Sequence, residues 1–138
     1  MPRHSVLPFC AAMAVCGPAL AFQPLIPLDV NATPTGFEVI EARGAGPSHI
    51  WCVAADHARH SLGASATQRL VITAPLGASQ TEAGRKAVGF ALRAADAAQS
   101  RSITPGMLGG FLLSVRTEGA SLSVTQAAQY CTDHIEFP

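Results

Sequence analysis

Apolar residues alternate along three short stretches of the chain, run together along a fourth, and recur at helical spacing along two others. Over 37–42, Phe37 and Val39 alternate with Glu38 and Ile40, the pattern of a first strand. Gly44 and Gly46 then turn the chain, and Pro47 and Ser48 open a helix that runs to about Leu62, where Gly63 stops it. At about 100° per residue, Trp51, Ala55, Ala58 and Leu62 fall within roughly 60° of one another and predict the buried stripe. Its small members allow close approach to a sheet, and Cys52 lies at its edge. The apolar run Leu70-Val71-Ile72 predicts a second strand over 68–74, ended by Pro75 and Gly77. Val88, Phe90 and Leu92 predict a third over 87–92, and Phe111, Leu113 and Val115 a fourth over 111–116.

The last element is a helix with Ser121 or Ser123 as its N-cap, running to about His134. Val124, Ala127, Ala128 and Cys131 share one of its faces. Residues 22–35 hold Pro24, Pro27 and Pro34 and read as an extended lead-in to a single domain over 36–138. Asn31 and Thr33 form an N-x-T sequon, which matters only in a eukaryotic secretory pathway. The segment from Arg93 to Gly110, with Pro105, Gly106, Gly109 and Gly110, reads as a long connection. The order β-α-β-β-β-α predicts an α+β fold: a small, mostly antiparallel sheet of about four strands with two helices on one face.

A chain of 138 residues, about half of them apolar, can bury one real core, and whole-chain disorder is excluded. Its first 21 residues change the picture most. Arg3 supplies a positive start, an apolar stretch follows from Val6 to Val15, and Ala19-Leu20-Ala21 offers small residues for cleavage before Phe22. Residues 1–21 therefore read as a secretory signal peptide, and the mature chain is expected in the periplasm or outside the cell. Pro8, Gly17 and Pro18 interrupt the run too early for a bilayer crossing of roughly 20 residues. Lipoprotein processing at Cys10 or Cys16 is disfavoured by the bulky Phe9 and Val15 that precede them.

Cleavage also removes Cys10 and Cys16, leaving Cys52 and Cys131. Two cysteines in an oxidising compartment most often pair, and neither CxxC nor CxxxC occurs to suggest a redox or metal motif. A bridge between a first-helix and a last-helix cysteine is geometrically natural. Full-length Lys+Arg and Asp+Glu balance at nine each, and loss of Arg3 leaves one excess acid. A nucleic-acid partner is not expected, since that would need a basic excess and more stacking surface than one Trp and one Tyr provide.

The candidate chemistry is thin. His49, Asp56 and His60 fall within about 40° on the helix face opposite Trp51, with His57 beside them. Imidazoles and a carboxylate at this spacing could hold a divalent transition metal, although the H-E-x-x-H pattern is absent. The competing reading is a solvated face in which Asp56, Arg59 and His60 serve solubility. No G-x-S-x-G elbow occurs, so Ser61, Ser79, Ser121 and Ser123 read as caps and turn residues. Glu38 and Glu41 point to opposite faces of their strand and make no carboxylate pair. Gly106 to Gly110 precedes a strand and lacks the G-K-[ST] ending of a phosphate loop. Arg69, Arg85, Lys86, Arg93 and Arg101 could line one anion surface, but solvated strand ends explain them equally simply.

The run Ile50-Trp51-Cys52-Val53-Ala54-Ala55-Asp56, the strand Arg69-Leu70-Val71-Ile72, the segment Gly84 to Phe90 and Leu122-Ser123-Val124 ahead of Cys131 together resemble a known group. It comprises small, uncharacterised exported proteins of alphaproteobacteria with a Trp-Cys helix and a late second Cys. The resemblance covers about residues 37–131 and implies a Gram-negative periplasmic setting, with no activity or cofactor attached. Two functions follow as expectations. One is a non-enzymatic binding or accessory domain with an envelope component as partner, making contact through the Arg93–Gly110 loop or a sheet edge. The alternative is a metal-binding protein or metal-dependent enzyme using His49, Asp56, His57 and His60.

Overall fold

The computed structural model describes residues 27–97 and 113–132. The expected signal peptide 1–21, most of the 93–110 connection, Phe111 and His134 lie outside the described residues. Five strands and two helices follow one another: β1 (Val30–Thr33), β2 (Gly36–Ile40), α1 (Pro47–His60), β3 (Arg69–Ala78), β4 (Lys86–Arg93), β5 (Ser121–Ser123) and α2 (Val124–Gln129). A short 3-10 turn, Ala95–Ala97, follows β4. The strands form one sheet in the order β1-β2-β4-β3-β5, every neighbouring pair antiparallel. α1 carries the chain from β2 across the sheet to β3, and β4 returns to fill the place between them.

The expected α+β class, with both helices on one face and a disulfide between them, is what the structure has. The sheet contains five strands where about four were expected. Alternation sends Phe37, Val39, Leu70, Ile72, Val88, Phe90 and Leu122 to the helical side, where they form one buried cluster with helix residues. α1 contributes Ile50, Trp51, Ala54, Ala55 and Ala58, and α2 contributes Val124 and Ala127. Trp51 is wholly buried, and its indole meets the Phe90 ring edge-on at 5.1 Å. Three alanines on α1 leave room for that indole by letting the helix axis approach the sheet. Truncating Trp51 would cost roughly 3–5 kcal/mol, the usual range for a large aromatic in a core.

Four local expectations are corrected. Residues 30–33 of the lead-in form the edge strand β1, because Pro27 and Pro34 flank it and neither occupies a ladder position. Pro34 instead lies in the two-residue connection between Thr33 and Gly36. β3 does not stop at Pro75 but continues to Ala78, and register shifts between Ile72 and Ala74 and between Ala74 and Gly77 absorb the proline. The described part of the expected fourth strand, Leu113–Arg116, is a turn; it is linked to β3 by the Leu76 N–H donating to the Val115 carbonyl at 2.9 Å. The strand on that side of β3 is β5, three residues of the segment expected to begin the last helix.

Both helices are shorter than their apolar stripes suggest. α1 ends at His60, with Ser61 as C-cap and Gly63 in the left-handed region at φ +64°, so Leu62 leaves the stripe and is half exposed. α2 ends at Gln129, which puts Cys131 just past the Tyr130 C-cap and not at the centre of a helical face. Ser123 is its N-cap, in a capping box with Gln126: the Ser123 hydroxyl accepts from the Gln126 N–H, and the Gln126 side chain accepts from the Ser123 N–H.

Two glycines permit close strand contact. A Cβ on Gly36 would run into the Phe90 carbonyl oxygen, and one on Gly89 would lie 2.9 Å from the Ala74 Cβ. Among the described residues no helix is long and apolar enough to cross a membrane.

Candidate functional site

The histidine helix does not assemble as its angles suggest. Asp56 and His60 lie on the exposed side of α1, with His60 Nδ1 3.0 Å from Asp56 Oδ1. His49 is buried, at 5% exposure, although its position on the helical wheel is opposite Trp51. Its neighbours Ile50 and Trp51 are buried too, whereas Pro47 in the same turn and Arg59 and His60 at the other end of α1 are exposed. His57 is half-buried, its ring 4.7 Å from that of Phe37. Burial pushes the His57 pKa below the ordinary 6.5, and the neighbouring Asp56 carboxylate only partly offsets this. His49, Asp56, His57 and His60 thus occupy three different environments. Among the described residues no group of three or more His, Cys, Asp or Glu side chains is placed to hold a metal ion.

The basic residues of the middle third are also divided. Arg69 and Arg93 face each other across one end of the β3–β4 pair, and Lys86 pairs with Ala78 at the other end. A strand the length of β3 separates those ends by roughly 30 Å. Arg69 is held by Ser121, donating through Nη2 to its hydroxyl at 2.8 Å and to its carbonyl at 3.1 Å. Arg85 donates to the Glu41 carbonyl and lies 3.5 Å from Glu82. These residues form no common anion surface; Arg101 lies outside the described residues.

One highly connected polar side chain is among those that sequence reasoning placed on an ordinary strand face. Glu38 of β2 is 2% exposed. Its carboxylate accepts from the Ser79 hydroxyl at 2.6 Å, the Thr81 hydroxyl at 2.5 Å, and the N–H groups of Gln80 at 3.0 Å and Thr81 at 2.9 Å. Burial alone would raise its pKa; the Ser79 and Thr81 hydroxyls and the two amides outweigh that and hold it at about 2. Asn31 of β1 extends the network, donating from Nδ2 to the Thr81 hydroxyl at 2.8 Å and to Glu82 Oε1 at 2.9 Å. One buried anion therefore pins the β3–β4 turn to the β1–β2 hairpin. The sequon asparagine is engaged in that clamp through the same nitrogen a glycan would occupy. With every oxygen occupied by donors and a pKa near 2, Glu38 is a poor base and a poor metal ligand.

On the other side of the sheet, Cys52 of α1 and Cys131 are joined in a disulfide, with Cα atoms 4.9 Å apart and a sequence separation of 79. The bond closes most of the described chain into one loop. Fold and site together define a small α+β domain with covalently joined helices and with hairpins locked by a buried carboxylate. The chain matches no family model, no curated protein and no solved structure.

Proposed function

We propose that this chain is an exported cell-envelope protein, periplasmic or secreted, whose folded part is a non-enzymatic binding or accessory domain. The observation that carries the reading is the Cys52–Cys131 disulfide, a bond that persists in oxidising compartments and is rare in the cytosol. The signal-like pattern of residues 1–21 supports it. The strongest polar cluster works as a clamp, which favours a rigid scaffold over a reaction centre. Its partner is an envelope component, met along the β1 edge of the sheet or the connection after β4.

Recovery of the untagged protein from its native envelope tests this. Intact mass should begin at Phe22 and fall two hydrogens below that of the reduced chain, and the mature domain should retain a component of a periplasmic extract. An unprocessed chain with free thiols, or stoichiometric metal lost in a His60→Ala variant, would overturn the reading in favour of the metal alternative.

A further inference from the structure

The sheet has two edges, β1 and β5, and the chain treats them differently. In an antiparallel pair, alternate residues turn their N–H and C=O groups toward the partner strand and the others turn them away. On β5 the Ile72 N–H donates to the Ala120 carbonyl and the Val124 N–H to the Gln68 carbonyl. Leu122 therefore faces β3, while the backbone groups of Ser121 and Ser123 face outward. Side chains of the fold itself occupy two of these. Arg69 Nη2 donates to the Ser121 carbonyl at 3.1 Å, and the Ser123 N–H donates to the Gln126 side chain at 3.0 Å. α2 begins directly after Ser123, so this edge is closed to a further strand.

The β1 edge is open. The Ile40 N–H donates to the Asp29 carbonyl at 2.9 Å, which makes Asp29, Asn31 and Thr33 the inward residues and Val30 and Ala32 the outward ones. Among the described residues, no group takes up the outward N–H and C=O of Val30 and Ala32. Residues 30–33 carry no charge, proline or bulge, the features that usually protect an edge.

We infer that β1 pairs with β1 of a second copy of this chain, antiparallel about a two-fold axis at Asn31. Val30 opposite the second copy's Ala32, and Ala32 opposite its Val30, make hydrogen-bonded pairs that use every outward N–H and C=O of both strands. The same register sets Asp29 opposite the second copy's Thr33, on the face away from the helices. That is a non-hydrogen-bonded position, where side chains approach most closely, and symmetry repeats the contact. The exposed Asp29 carboxylate thus meets a hydroxyl donor and not another carboxylate. Charges over the whole chain balance at nine each, so the copies do not repel at long range. The interface is isologous and makes one continuous sheet of two. Four residues a side bury less than the roughly 1,200–2,000 Å² of a stable interface, so the association is reversible and concentration-dependent. Occupied in this way, β1 directs the envelope component to the connection after β4, and the pairing does not itself rest on the binding role.

Sedimentation velocity on the protein recovered from its envelope reads the association, with half of the chains dimeric below about 1 mM. Ala32→Pro deletes an outward N–H and no bond to β2. It should weaken the dimer at least about 10-fold while circular dichroism and melting temperature stay those of the wild type. Thr33→Lys sets an ammonium opposite Asp29 of the second copy and should tighten the dimer about 3-fold, a gain lost at about 1 M salt. Thr33→Asp should loosen it by a similar factor. Should Ala32→Pro fail to fold, the opposite responses of the two Thr33 variants decide. A chain that stays monomeric to about 1 mM, or a dimer indifferent to these substitutions, overturns the pairing. A monomer that still retains an envelope component would leave the proposed binding role standing.

Discussion

Among the described residues, a single carboxylate has the largest pH signature. Glu38 has a folded pKa of about 2 against an ordinary 4.5, so it binds its proton more weakly in the native state than in the unfolded chain. Its contribution is fully present above the unfolded value and is lost as pH falls from 4.5 through the folded value near 2. The difference is on the order of 3 kcal/mol. Urea titrations of the wild type across that window should show the loss, and Glu38→Gln should flatten the profile and lower stability at neutral pH by about 2–3 kcal/mol. An unchanged profile would mean that the carboxylate is not clamped. Gly36→Ala probes register at the same scale: its methyl would meet the Phe90 carbonyl, and the strands must part or bend, costing roughly 1–3 kcal/mol. A melting temperature equal to the wild type would contradict the β2–β4 register. The Glu38 clamp was not legible in the sequence, since Ser79 and Thr81 lie some forty residues away and only the return of β3 brings them over β2.

Among the elements, α1 was the most legible, because fourteen residues are enough for the 100° period to be read and Pro47 marks its start. Its outer face was misread at His49, which is buried while Pro47 in the same turn is exposed; what packs over a helix position is not contained in a single-wheel projection. His57 makes this element pH-sensitive. Its pKa is lowered in the fold, so the unfolded chain binds a proton more readily, and stability falls as pH drops below 6.5 through the folded value. His57→Phe, which preserves the contact with Phe37, should remove that slope, measured as the dependence of the urea midpoint on pH; retention of the slope would place its origin elsewhere. β5 and β1 were missed for a different reason. Strands of three and four residues carry too little alternation to stand out, and edge positions tolerate the flanking prolines that argued against a strand.

For the molecule as a whole, the disulfide is the dominant constraint. A loop of 79 residues removed from the unfolded ensemble corresponds to about 4 kcal/mol in the chain-entropy model. Cys131→Ser should therefore lower the melting temperature by more than about 10 °C while the far-ultraviolet circular dichroism remains that of a folded α+β protein. A midpoint within a degree or two of the wild type would mean that the native state, through strain, cancels what the loop contributes.

The residue pattern by itself determined the α+β class, the central strands, α1 and the pairing of Cys52 with Cys131. Each follows from a local period or from elimination among few candidates, and neither requires knowing which segments meet. Only the tertiary structure decided the sheet order β1-β2-β4-β3-β5, the burial of Glu38 and the separation of His49, His57 and the exposed Asp56–His60 pair. Strand order depends on which hairpin docks beside β2 after α1 has crossed. The state of each polar side chain depends on what that docking places above it, and local sequence carries neither quantity.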